Sequence, residues 1–307
     1  MNLSVLLELL VASVRIATPL LFVALGGILS EKAGTFAVGL EGMMLMGAFG
    51  GAVATYVTHQ VTVGLLASAV SGAALATIVA IATARFRADQ MVTGLGANIL
   101  AFGLTSFLLR GLFGGRAPVM VLPTLGPAPL PYLANLPVIG PAFFQQPVLT
   151  YAAFLLTIPL YLFLQHTQAG LTLRAVGENP VAAFSGGANP IRVRMLAVIA
   201  GGAIAGLGGA VLSLQEIGTF TDGMTSGRGF IALAAMIVGR WMPFGVALAC
   251  LLFGAASALA LNIQGWGLPV SSYLIQMTPY LIALAVLAGV GRTARLPEAI
   301  GRSFERN

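Results

Sequence analysis

Thr167 to Arg194 reads TQAGLTLRAVGENPVAAFSGGANPIRVR, a polar interruption of 28 residues between two apolar runs. Its surroundings give it weight. The chain of 307 residues is 58% hydrophobic and only 8% charged, with a mean hydropathy of +0.96. A soluble domain carries roughly 25% charge, so an ordinary soluble globule is excluded. Apolar runs of about 20 residues recur, and that is the length which crosses a bilayer as a helix. They are near-continuous and lack the ten-residue alternation of a membrane β-barrel. The fold class is therefore all-α: a polytopic membrane helix bundle in a single domain, 1–307.

The hydropathy pattern places spans at 3–29, 41–58, 61–84, 91–113, 148–166, 195–215, 243–262 and 273–291. A shorter apolar run, 229–239, precedes Arg240. At 1.5 Å per residue it is roughly 16 Å long, about half of a hydrocarbon core. The expectation is eight transmembrane helices plus one half-helix packed inside the protein. The chain holds 39 glycines. Gly47-x-x-x-Gly51 and Gly202-x-x-x-Gly206 are signatures of close helix packing and assign no function.

Net charge is +6. The arginines sit in short loops between spans, which is the pattern of membrane orientation and not of nucleic-acid binding. With the 167–194 loop inside, Lys32, Arg85, Arg87, Arg174, Arg192, Arg194, Arg240, Arg292, Arg295, Arg302 and Arg306 all face the cytoplasm. Arg116 and Arg228 face outwards. The N-terminus is then external and the C-terminus internal, provided 229–239 completes one traverse. No cleavable signal is evident, and no G-x-x-x-x-G-K-[ST] phosphate loop occurs, so any ATP-driven energy comes from another chain. Cys250 alone forms no internal disulfide.

Within the interruption, Asn179-Pro180 is a helix start, since Asn is a strong N-cap and Pro suits the first helical position. Val181 to Ser185 gives under two turns, and Gly186-Gly187 ends them. Asn189-Pro190 repeats the start signal for the next membrane helix, with Arg192 and Arg194 near the headgroups. A short capped helix showing Val181, Ala182 and Phe184 is either a rigid knob for a partner's groove or a plain interfacial helix. The proline-rich segment 114–147 reads as a compact cap over the external mouth, because Val119, Val121, Leu130, Tyr132, Phe143 and Phe144 would otherwise be exposed.

Ser30 to Gly42 holds Glu31, Lys32 and Glu41 between apolar spans, with Gly34, Gly39 and Gly42 permitting unwound backbone. Such backbone is tolerated in a membrane only when buried or lining a cavity. The alternative is an ordinary turn, under which Glu41 alone needs explaining. Glu41, Asn98, Asn262, Gln264 and Gln276 are candidates to line a polar pathway, since a polar solute must be met by hydrogen-bonding groups in a dry medium. Glu216, Asp222 and Arg228 form either an external gate or a solvated loop. Arg15 lies mid-span and needs a partner beyond Glu8. His59 and His166 are isolated, and neither a metal cluster nor a nucleophile with a base is present, so no catalytic residue is assigned.

GLTLRAVGENPVAAFSGGAN from Gly170 and GGAIAGLGGA from Gly201 resemble the branched-chain amino acid, ribose and nucleoside permease superfamily of ABC importers. ALGGILSEKAG from Ala24, GLEGMMLMGA from Gly39 and GRGFIALAAMIVGRWMPFG from Gly227 look like its simple-sugar and purine-nucleoside subfamily. The resemblance spans positions 24 to 245. It departs at Ala37, where that subfamily often has Asn, which leaves the substrate open and fits pairing with a non-identical sister permease.

The resemblance implies an ABC importer transmembrane domain in a bacterial cytoplasmic membrane, taking up nucleosides, purine nucleosides included, or simple sugars. It implies that Arg174, Gly177, Glu178, Asn179, Pro180, Ala183 and Phe184 couple to a separate ATPase. That ATPase binds ATP and Mg; this chain needs no cofactor and is not an enzyme. A second permease, identical or sister, and an external binding protein or lipoprotein complete the assembly. The competing reading is an ion-gradient-driven secondary transporter, for which Glu8 and Glu41 are the only candidate carboxylates.

Overall fold

The computed structural model describes residues 3–112, 121–129, 140–265 and 297–302, with 277, 281, 282, 284, 285, 288 and 289. Its helices are α1 (Leu3–Lys32), α2 (Leu40–Thr58), α3 (Val61–Ala80), α4 (Gln90–Leu112), α5 (Val148–His166), α6 (Gln168–Glu178), α7 (Pro180–Ser185), α8 (Pro190–Ala210), α9 (Arg228–Val238) and α10 (Pro243–Gly265). π-helical turns extend α3 over Ile81–Arg85 and α8 over Val211–Glu216. Among the described residues, seven helices (α1 to α5, α8 and α10) are long and apolar enough to cross a membrane. They match the first seven predicted spans. The eighth, 273–291, lies outside the described residues apart from scattered positions. The run at 229–239 is the short helix α9, as its length required.

One element was missed. The 167–194 interruption contains α6 as well as the short α7. Thr167 caps it, its hydroxyl accepting from the Gly170 N–H at 3.0 Å. Gly170, Leu173, Val176 and Gly177 are buried while Leu171, Ala175 and Glu178 face out. That is helical spacing, masked in the sequence by two glycines and four polar residues. Asn179 and Asn189 cap α7 and α8 as expected, accepting from the N–H groups of Ala182 at 3.0 Å and Arg192 at 3.2 Å.

α8 stands at the centre, packed on α1, α2 and α3. Lipid tails are as apolar as leucine, so close backbone approach has to bind these helices. Glycine provides it. A Cβ on Gly201 would strike the Gly26 carbonyl of α1, and one on Gly47 of α2 would strike Gly206. A Cβ on Gly206 would strike the Ser68 carbonyl of α3. The two spaced glycine pairs seen in the sequence thus meet at one point, Gly47 on Gly206.

One face of the bundle gathers α6, α7, the ends of α1 and α5 and the starts of α4, α8 and α10. Replacing Gly206 by Ala puts a methyl group into backbone on α3, and overpacking of this kind costs about 1–3 kcal/mol. Gly103 of α4 has no atom within 4 Å of its Cβ position. Thermal unfolding of the detergent-solubilised protein is expected to show a lowered midpoint for Gly206→Ala and an unchanged one for Gly103→Ala.

Candidate functional site: two interrupted helices held by α4

The chain leaves helical geometry between Lys32 and Leu40. Those backbone groups need partners, since hydrocarbon supplies none. α4 supplies them from one stripe. At its start, the Gln90 side-chain oxygen accepts from the Phe36 N–H at 2.7 Å, and its amide donates to the Gly34 carbonyl at 3.3 Å. Eight residues on, about 12 Å along the helix, Asn98 donates to the Val38 carbonyl at 3.0 Å and accepts from the Gly42 N–H at 2.8 Å. Between them lies Gly94, where a Cβ would meet Val38 and the backbone of Gly39. The stretch therefore climbs the side of α4, and α2 begins well inside the bundle.

A second interruption descends the same helix from the other end. The Ser106 hydroxyl donates to Asp222 Oδ1 at 2.9 Å, and Gly223 stands against the Phe102 ring. Gly227, with φ of 80°, turns the chain into α9. Gln90, Gly94, Asn98, Phe102 and Ser106 recur every fourth residue, a ridge that winds around α4 and holds both interruptions.

The two are tied to each other. Glu41 caps α9, its two carboxylate oxygens accepting from the N–H groups of Gly227 at 2.8 Å and Gly229 at 2.6 Å. A carboxylate there satisfies donors that have no partner within the helix and meets the positive end of the helix dipole. Just beyond the other end of α9, the buried Trp241 indole N–H donates to Glu31, whose other oxygen accepts from the Ala37 N–H at 3.3 Å. α9 is thus fastened at its head and just past its foot by the α1–α2 junction.

Arg194 ties that junction to α6. It was expected near headgroups, yet it is buried. Burial is tolerated because carbonyls at broken chain ends accept from it: Ala33 at 3.2 Å, Arg302 at 2.8 Å and Ala299 at 3.5 Å. The Ala299 N–H donates to the Gly177 carbonyl at 3.0 Å, and the Gly301 N–H to Gln90 at 3.2 Å. A Cβ on Gly177 would strike the Lys32 carbonyl, so α6 lies directly on the end of α1.

The other sequence candidates fall as follows. Arg174 and Glu178 of α6 lie within electrostatic range of Lys32, and the Arg174 Nε is buried with no hydrogen-bond partner among the described residues. Asn179 and Pro180 start α7, in which no residue is buried; Val181 is 60% exposed and Phe184 38%, with Ala183 half-buried between them. Asn262 and Gln264 sit on α10, which packs chiefly on α1, α9 and α5, and they do not join Glu41 and Asn98. Asn262 donates to its own helix at the Ala258 carbonyl, 3.1 Å away. Gln276 lies outside the described residues.

Arg15 finds Gln146, Nε to Oε1 at 3.1 Å. Arg228 starts α9, beside the Glu41 cap, with a guanidinium N–H on the Met224 carbonyl at 3.0 Å. Sequence reasoning missed Gln90, Arg194 and Trp241, each a single polar group at an element boundary. No cluster of three or more His, Cys, Asp or Glu that could hold a metal occurs among the described residues.

Residues 9–290 match the family described as the branched-chain amino acid transport system permease component. The chain belongs to this permease family. The permease is 37% identical to the nucleoside ABC transporter permease NupC of Lactococcus lactis over 99% of both chains. It is 36% identical to the guanosine ABC transporter permease NupQ of Bacillus subtilis over 94% of both. The glucose ABC transporter permease TsgB13 of Haloferax volcanii is 30% identical over 88% of this chain and 74% of its own. Among solved structures, an inward-facing ABC transporter of the metal-chelate type shares the fold at a TM-score of 0.50 and 14% identity, over 91% of this chain and 84% of that one. The permease is a multi-pass membrane protein.

Removing the Glu41 carboxylate leaves two N–H groups at the head of α9 without acceptors, at about 1–3 kcal/mol each. Thermal unfolding should show Glu41→Ala well below wild type. Glu41→Gln, which keeps one acceptor oxygen, is expected between them.

Proposed function

We propose that this permease forms one wall of an ABC importer for nucleosides, purine nucleosides among them, or simple sugars, driven by a separate ATPase that binds ATP and Mg. The observation that carries the reading is α7: a capped helix with no buried residue, standing on α6, with Val181 and Phe184 presented outwards. Relatives named as nucleoside and glucose permeases, similar over most of the chain, support the substrate class.

On this reading α7 enters a groove on the motor, with Arg174, Gly177, Glu178, Asn179, Pro180, Ala183 and Phe184 at or under the contact. Motor closure pushes α7 and α6. α6 bears on Lys32 and, through Ala299 and Arg194, on Ala33. Glu31 and Glu41 pass the movement to α9, so the half-helix follows the motor. The ion-driven alternative loses support, because both Glu41 oxygens already cap α9.

The face with α7 is then cytoplasmic, with the N-terminus external and the C-terminus internal; residues 217–227 and α9 together complete one traverse. The described part of the proline-rich segment, 121–129, caps the external end. Leu122 and Leu125 support this, donating to the carbonyls of Gly218 and Leu214, each at 2.9 Å. A second permease, sister or identical, supplies the opposite wall, and an external binding protein delivers the solute.

The test is co-purification of the tagged permease from its native membrane with its ATPase. Val181→Asp combined with Phe184→Asp charges the tip of α7 without touching the core. It is expected to abolish both ATPase recovery and solute uptake while the permease itself purifies with an unchanged thermal midpoint. An ATPase recovered in full with this variant would overturn the docking assignment.

A further inference from the structure

Where the stripe reaches Phe102 and Ser106, α4 opens onto a surface that the described residues leave uncovered. At Gly96, Gly103 and Gly111 no atom of the described residues lies within 4 Å of the Cβ position. Beside Gly103 and Gly111 the surface forms a groove of about 540 Å³, into which Phe102, Ser106, Phe107, Arg110 and Asp222 open. Phe102 is 53% exposed and Phe107 72%. α4 has 23 residues, a length of about 34 Å. Ser106 stands about 24 Å from the Gln90 end, which is short of the helix's far end and within the apolar thickness. A carboxylate and a hydroxyl opened to lipid at that depth are disfavoured; ionisable groups inside a membrane face the protein interior or a water-filled cavity.

We infer that this groove is a solute site on the wall of the pathway and that its ligand is a nucleoside. The inference deepens the importer reading and rests on it. The groove offers two kinds of recognition side by side. Phe102 and Phe107 are exposed aromatic rings, and such rings stack on a planar base whatever its identity. Asp222 uses one carboxylate oxygen on Ser106, and its Oδ2 stands ready to accept from the ribose hydroxyls, which are donors. Arg110 brings donors for a base carbonyl or the ribose ring oxygen. A free hexose has hydroxyls for Asp222 but no planar ring for the two phenylalanines. The open glycines give the solute room against the helix backbone.

The experiment uses the full transporter in native cells. Gly103→Cys places a thiol in the groove where nothing opposes it, and the native Cys250 is buried. A membrane-impermeant cationic thiol reagent is expected to label Gly103→Cys, and guanosine but not glucose should protect it. Leu66→Cys, on the 70% exposed outer face of α3, is expected to stay unlabelled in lipid. Asp222→Asn keeps the Ser106 bond but loses the charge. It should raise the KM for guanosine uptake about tenfold, the size of one charge-assisted hydrogen bond, with the maximal rate retained.

No labelling at Gly103→Cys would place this face in lipid and overturn the site. Labelling protected by glucose and not guanosine would overturn the ligand class. An unchanged KM in Asp222→Asn and in Phe107→Ala, with wild-type guanosine uptake intact, would overturn the site while leaving the importer reading standing. Cells that lose no guanosine or glucose uptake on deletion of the permease would overturn both.

Discussion

A backbone N–H or C=O that leaves a helix inside a membrane has no water to turn to. Among the described residues this chain does so at 33–39 and at 217–227, and a small set of polar side chains answers that need. Gln90 and Asn98 take the first stretch, Ser106 the second, and Glu41 and Glu31 join the two. Few of the polar groups in this core are spare. The interruptions are therefore built structure, fixed by hydrogen bonds whose loss leaves buried donors unpaired.

The second constraint is distance. Carboxylates on the α1–α2 junction reach α9 only because α1, α2 and α3 approach α8 more closely than side chains normally allow. Gly26, Gly47, Gly72, Gly201, Gly202 and Gly206 make that approach. The glycines and the polar ties act together: close backbones bring the carboxylates within reach, and the hydrogen bonds hold the close packing in one register.

The spans were legible because hydropathy at bilayer length is a strong signal, and α9 was legible because it is too short to cross. Asn179 and Asn189 announced two helix starts correctly because an N-cap is a local interaction. α6 was hidden because its buried face is made partly of glycines, which carry no hydropathy signal. Glu41 and Asn98 stood out as polar groups in apolar runs, but that each holds backbone depends on partners far away in the chain. Gln90, Arg194 and Trp241 were illegible for the same reason. Their partners are carbonyls, amides and a carboxylate many positions away, and Arg194 next to Arg192 looks like any headgroup arginine.

On the coupling proposed here, α7, α6, the α1–α2 junction and α9 move as one body when a motor acts on α7. The direct measurement is the distance between spin labels at Val181→Cys and Phe230→Cys in the assembled transporter, nucleotide-free and ATP-trapped. Both positions are exposed, and Cys250 is buried. The account predicts one narrow distance distribution that is the same in both states, and a broader or shifted one when Arg194 is replaced by Met. A distance that changes between the two states in the otherwise unaltered protein would show that α7 moves independently of the half-helix, and would contradict the account.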